Sequence, residues 1–234
     1  MNIDRDLQYS GKELEVMSFA QNYHRWIIDQ FEPYLGERVA EVGAGIGNIS
    51  RIILTKSVKE LFAFEPSSNL FPSLFDELKH EERAHPINDF FSSDYLKKDL
   101  DSIVYVNVLE HIEEDQTELT NLRGALGPNG RLLLFVPALR ELYSDFDRSV
   151  GHYRRYEKNE LKLLVEKAGF KIVQLRYFDF FGVFPWYLNF VLLRKPMNGR
   201  TVFLYDNYIV PIMKLAESYV TPPIGKNLFL VGMK

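Results

Sequence analysis

The chain has 234 residues, 46% of them hydrophobic, enough for one large α/β domain with additions and too apolar for a disordered polypeptide. Its 28 Lys and Arg against 32 Asp and Glu give a net charge of −4, which excludes the basic footprint of a dedicated nucleic-acid binder. With no cysteine, disulfides, thiolate nucleophiles and Cys-ligated zinc are excluded as well.

The N-terminus, MNIDRDLQYSGKELE, is charged and has no apolar h-region, so no signal peptide is expected and a cytoplasmic location is the default. From Glu13 to Phe31 apolar residues (Val16, Phe19, Ala20, Tyr23, Ile27, Phe31) recur at helical spacing, and Pro33 and Gly36 end the pattern. RVAEV reads as a short buried strand, a glycine loop follows, and NISRIILTK returns to helical spacing. ELFAFE is a second strand, followed by a helix that Ser67 or Ser68 can cap. RAHPI is a third strand and DSIVYVNV a fourth. DQTELTNLRGAL is a helix, and the turn GPNG precedes the strand RLLLFV. Beyond a polar, aromatic insertion, EKNELKLLVEKAGF predicts a helix with Gly169 as its C-cap. KIVQLRYF is a sixth strand, and KNLFLVGMK a seventh after an apolar segment and a helix from about Val202 to Tyr219. Strand and helix alternate with short connections, which predicts a doubly wound, mostly parallel seven-stranded sheet with helices on both faces. The domain divides into an N-terminal helical cap (1–36), a cofactor-binding core (37–178), an apolar and helical cover (179–226) and the last strand (227–234).

The loop Gly43-Ala44-Gly45-Ile46-Gly47 decides the chemistry. A dinucleotide fingerprint, G-x-G-x-x-G, needs glycine at 48 or, shifted, at 50, where Asn and Ser stand. What stands instead is E-x-G-x-G-x-G, beginning at Glu41 at the end of the first strand. Glu65 ends the second strand twenty residues after Gly45, where a carboxylate accepts ribose hydroxyls of either NAD or another adenosine cofactor.

At these positions the chain resembles the class I, Rossmann-like methyltransferases that use S-adenosylmethionine. The resemblance extends to Asn88-Asp89-Phe90 after the third strand, YVNVLEHIEED after the fourth and LGPNGRLLLFVP at the fifth, over roughly residues 15 to 175. FDRSVGHYRRYEKNELKLLVEKAGF further resembles bacterial stand-alone enzymes of this class that act on small molecules. The resemblance implies an antiparallel last strand and S-adenosyl-L-methionine as cofactor. It places Glu41, Gly43, Gly45, Gly47, Glu65, Asp89, Phe90 and Asn107 around it, with Asp89 on the adenine amino group and Phe90 against the adenine face. Phe90 as a core ring, and Glu41 as a ligand of loop amides or water, are the plainer readings.

Methyl transfer from a sulfonium needs positioning before anything else, and a hydroxyl acceptor adds the need for a base. His152, in the insertion, and His111, past the fourth strand, are the two catalytic candidates; His152 is assigned to the acceptor side. Arg148, Arg154 and Arg155 either grip an anionic acceptor or pair with Asp145 and Asp147, and Tyr23 and Trp26 either cover the cofactor or pack a helix on the sheet. No metal site is expected, and no D/N-P-P-aromatic motif follows the fourth strand, so DNA bases are disfavoured acceptors. The expected activity is methylation, most simply O-methylation, of a small molecule, lipophilic or glycan-related. The alternatives are a non-catalytic cofactor-binding protein and a nicotinamide oxidoreductase. FFGVFPWYLNFVLL, with Pro185, is too short for a membrane span; the partner expected of 180–220 is a peripheral membrane surface or a second copy of the chain, and no nucleic acid.

Overall fold

A computed structural model describes residues 16–92 and 100–234. Seven strands form one sheet: β1 (Arg38–Val42), β2 (Glu60–Phe64), β3 (Ala84–Ile87), β4 (Leu100–Val106), β5 (Leu126–Pro137), β6 (Lys171–Phe178) and β7 (Asn227–Met233). Their order is β3-β2-β1-β4-β5-β7-β6. Pairings from β3 through β5 are parallel, while β7 runs antiparallel to both β5 and β6. The last strand is thus the antiparallel one, and the sheet is otherwise parallel as expected.

Burial on both faces explains why the central strands read as continuous apolar runs. On one face Ile103, Tyr105, Leu132 and Leu134 pack with Leu119 and Leu122 of α4 (Asp115–Ala125) and Leu161 and Val165 of α6 (Lys158–Lys167). On the other, Val104, Leu133 and Phe135 meet Trp26, Ile27 and Phe31 of α1 (Gln21–Phe31) and Ile49 and Ile53 of α2 (Asn48–Leu54). The period of two along each strand sends alternate side chains into the two layers. A third helix, α3 (Phe71–Leu78), follows β2, and a short α5 (Asp145–Ser149) lies in the insertion after β5. Helix α6 closes in a Schellman turn: Phe170 N donates to Val165 O and Gly169 N to Glu166 O, with Gly169 at φ +91°.

Three local expectations are corrected. GPNG is not a turn ahead of β5 but a bulge within it: Leu100 pairs with Leu126 and Ser102 with Arg131, so extra residues are looped out with Asn129 at φ +62°. The N-terminal helix is interrupted: Val16 and Met17 are helical, Ser18 to Ala20 break the run, and α1 begins at Gln21; the expected start at Glu13 lies outside the described residues, and Phe19 is 51% exposed rather than on a buried stripe. No acid stands in the first turn of α1, and its Asn22 and Tyr23 amides are satisfied by Asp206, at 3.0 and 2.8 Å, from the far end of the chain.

The third correction concerns residues 179–226, between β6 and β7. α7 (Val183–Trp186) runs into a π-helical turn (Tyr187–Leu192). A longer helical stretch joins α8 (Gly199–Leu204), a second π-turn (Tyr205–Ile209) and α9 (Val210–Tyr219), longer than the helix expected from Val202. Pro211 has no N–H for the carbonyl one turn earlier and its ring crowds that carbonyl, so the helix widens into the π-turn instead of breaking. No helix among the described residues is long and apolar enough to cross a membrane.

Candidate functional site

The strand order reverses between β1 and β4, and the carboxyl edge at such a switch is where open α/β sheets take their ligands. β1 delivers the glycine loop there. Gly43 N and Ala44 N both donate to Phe64 O at 2.9 Å, which pins the turn to β2. Gly43 and Gly45 sit at φ +70° and +59°, and a Cβ on Gly43 would lie 2.6 Å from Val108 Cγ2. The loop therefore needs glycine for its backbone path and for the close pass of the β4 loop. Gly47, at φ +90°, is the N-cap of α2.

Glu65, beyond β2, is bound into this loop: one carboxylate oxygen accepts from Gly45 N and the other from Ser67 N, both at 2.8 Å. Burial raises its pKa, and the Ser67 hydroxyl, then the two amides, act against that rise. Asn88 fixes the same corner by donating to Glu65 O at 2.9 Å. Glu41 is buried and accepts from Ser50 Oγ at 2.6 Å, so its carboxyl links β1 to α2. Burial lifts it from 4.5 to about 8, with Glu65 adding to the rise.

At the end of β3, Asp89 accepts from the Phe90 amide at 2.8 Å and the Phe90 ring is 48% exposed, so the plainer reading of Phe90 as core is set aside. Asn107, after β4, is exposed at φ +53° with its amide on Phe135 O. Loop glycines, a carboxylate after β2, and an acid beside an uncovered ring after β3 share one sheet edge. That donor set fits an adenosine cofactor.

The other half of the site comes from the insertion. Ser144 and Asp147 form the capping box of α5, and Asp147 is fully buried. Its Oδ1 takes His152 Nδ1 at 3.0 Å and Arg155 Nε at 2.9 Å, while Oδ2 takes Ser144 Oγ at 2.7 Å. Burial would raise Asp147, but these partners win and hold it below the usual range. His152 Nε2 lies 3.8 Å from Glu110, whose buried carboxylate has no hydrogen-bond partner among the described residues. Burial pushes Glu110 up to about 7. The His111 ring meets His152 edge-on at 4.6 Å; burial, and then His152, bring His111 down to about 4.

The structure thus brings His111 and His152 together and adds Glu110, which the sequence did not mark, and Asp147, which it marked only as a partner for the arginines. Glu110, His111 and His152 offer ligand atoms within 4.8 Å of one another, a cluster hidden in the sequence by the forty-residue gap between its parts. The arginines pair: Arg148 with Asp145, Arg155 with Asp147, and Arg154 with Asp115 rather than with either insertion acid. Tyr23 and Trp26 are buried against Phe178, so packing explains them. Beside the insertion, a cavity of about 490 Å³ is walled by Phe146, Val150 and Phe190 with Arg194 and Lys195 at its edge.

A family model described as a methyltransferase domain matches residues 18–175. A probable polyketide synthase of Dictyostelium discoideum is 28% identical over an alignment of 145 residues that covers 51% of this chain, which spans 5% of that relative's length. Among solved structures, an S-adenosylmethionine-dependent methyltransferase from Archaeoglobus fulgidus aligns with a TM-score of 0.61 at 15% identity, over 95% of this chain and 99% of that one. The putative methyltransferase complexed with the Trm112 activator of Haloferax volcanii aligns with a TM-score of 0.64 at 12% identity, over 97% and 99%. With the fold, the glycine loop and the family match in agreement, the chain belongs to the methyltransferase-domain family and has the fold of the S-adenosylmethionine-dependent methyltransferases it aligns with.

Proposed function

We propose that this S-adenosylmethionine-dependent methyltransferase methylates an oxygen of a small lipophilic or glycan-related acceptor in the cytoplasm, with His152 receiving the acceptor's proton. The observation that carries the reading is the pairing of the partly exposed His152 ring with the buried Asp147 carboxylate. A carboxylate on Nδ1 fixes the ring's orientation and tautomer and leaves Nε2 as the proton-accepting nitrogen. His111, kept neutral by burial, and Glu110, whose carboxylate has no hydrogen-bond partner among the described residues, line the same spot.

Glu65 would hold the ribose, Asp89 and Phe90 the adenine, and Gly43, Gly45 and Gly47 give the cofactor close backbone approach, with Glu41 and Asn107 shaping the methionine end. When bound, S-adenosylmethionine supplies a methyl group on a good leaving group, so the chain's own task is to orient the acceptor and take its proton.

The test is S-adenosylhomocysteine release against hydroxylated, quinone-precursor, sugar and lipid acceptors, followed by His152→Ala. Loss of the base should cut turnover by about 10²-fold with cofactor affinity near wild type, while His111→Ala disturbs affinity first. Lost cofactor binding in the His152 variant with normal binding in the His111 variant would reverse the assignment. No metal is required in this reading. Activity abolished by a chelator and restored by a divalent cation would make Glu110, His111 and His152 a metal centre instead.

A further inference from the structure

Most of the exposed large hydrophobic side chains among the described residues fall between 180 and 224. They are ordered. Along the stretch through α9, Leu204, Tyr208, Ile212, Leu215 and Tyr219 recur every three or four residues and face solvent, Ile212 at 65% exposure and Tyr219 at 81%. Asp206, Val210 and Met213 form the opposite, buried stripe. Through α7 and its π-turn, Phe181, Phe184, Leu188 and Leu192 repeat the arrangement, while Trp186 turns inward to donate to Leu142 O. A helix apolar on its buried and its open side lacks a covering partner on the latter.

The charges of the segment say what covers it. Only two acids occur between 180 and 224, and both are withdrawn: Asp206 caps α1, and Glu217 accepts from Phe180 N with its side chain 4% exposed. The cations point outward. Lys195 and Arg200 are exposed and form no ion pair within the described residues. Arg194, 74% exposed, shares Asp145 with Arg148, and Lys214 shares Asp29 with Lys56. In a two-fold dimer the same patch meets itself, so these cations would face one another with no exposed acid from the segment between them. Apolar stripes flanked by cations, with no exposed acid of the segment among them, on a chain of net charge −4, match an anionic lipid surface.

We infer that the 180–224 face docks on an anionic lipid bilayer, in the plane of the surface and without crossing it. The inference goes beyond the acceptor chemistry and does not depend on His152.

The purified full chain is floated with vesicles of phosphatidylcholine alone and of phosphatidylcholine with phosphatidylglycerol, at low and high salt, while light scattering reports its oligomeric state. Recruitment is expected to the anionic vesicles only, weakened by salt. Lys195→Gln with Arg200→Gln should weaken partitioning on the order of 30-fold, and Ile212→Ser with Leu215→Ser at least about tenfold. Titration with S-adenosylhomocysteine is the control: unchanged affinity in these variants separates a docking defect from a misfolded or cofactor-free protein. A chain that stays unbound with anionic vesicles at low salt overturns the inference, as does equal binding to neutral vesicles. So does a stable dimer that the Ile212 and Leu215 replacements split, because the face would then belong to a second copy.

Discussion

Replacing Glu65 by Gln tests whether the carboxylate after β2 serves both the loop and the cofactor. Each oxygen already accepts one backbone amide, from Gly45 and from Ser67, and the residue is 4% exposed. A glutamine offers one oxygen and one NH2, so whichever way it is oriented one of the two amides faces a donor. A buried donor without an acceptor costs about 1–3 kcal/mol. Loss of a charge-assisted bond to a ribose hydroxyl adds about 1–2 kcal/mol. Part of the first cost appears in the free protein as a loosened glycine loop, so the two do not simply add. A combined loss of about 2–4 kcal/mol corresponds to a dissociation constant raised roughly 30- to 1,000-fold. Isothermal titration with S-adenosylhomocysteine, beside a thermal melt, reads both parts. Affinity within about twofold of wild type and an unshifted melt would refute the geometry at Gly45 and the role given to Glu65 together.

Gly43→Ala should destabilise the fold as well as weaken the cofactor. At φ +70° a Cβ costs about 1–2 kcal/mol, and its 2.6 Å approach to Val108 adds about 1–3 kcal/mol. At roughly 2–4 °C per kcal/mol for a chain of this size, Tm should fall by about 4–20 °C. Adding Val108→Ala should recover the packing share alone; full recovery would mean that the backbone carries no strain. Glu41→Gln tests the buried carboxyl through pH. With its folded pKa raised from 4.5 to about 8, the native state keeps a proton that the unfolded chain releases, so wild-type stability should fall as pH rises through that window and level off above it. Gln can still accept from Ser50, so the Tm advantage of the variant should grow across the same window. A gap that stays constant from about pH 5 to 9 would refute the burial of a protonated Glu41.

The fold was legible where local rules and burial agree. β1, β4 and β5 are central strands buried on both faces, and their apolar runs are visible without knowing what covers them. β6 could be delimited because the Schellman glycine at 169 ends the preceding helix just before it. Legibility failed where a distant partner overrides a local signal. The GPNG tetrapeptide has turn chemistry, but the pairing of Leu126 with Leu100 keeps it inside the sheet. Helix α1 lacks a local cap because Asp206, nearly two hundred residues on, supplies it. The π-turn ahead of Pro211 likewise follows from a helix held by buried residues on both sides of the proline, Asp206 before it and Met213 after it, which the proline cannot break and can only widen.

The same division runs through the candidate site. The glycine loop and Glu65 belong to consecutive strands, so register alone places them together. The histidine cluster depends on the path of the insertion, which no periodicity records. Tyr153 N donates to Glu110 O at 2.8 Å, Tyr156 OH to Leu109 O at 3.2 Å, and Arg154 reaches Asp115 at 2.8 Å. These three contacts lay the insertion against the loop after β4 and bring His152 to His111. The signal that could have found Asp147 is its capping-box spacing from Ser144, which marks a helix start and hence an ordered insertion. Asp147 anchors α5, Arg155 and His152 at once, so its removal would strand a buried arginine and disturb folding along with any proton transfer. His152 makes no comparable structural demand: without its ring, Asp147 still holds Ser144 and Arg155. A rate measured on the histidine variant therefore reports on chemistry, whereas one measured on the aspartate variant would mix chemistry with the architecture that presents it.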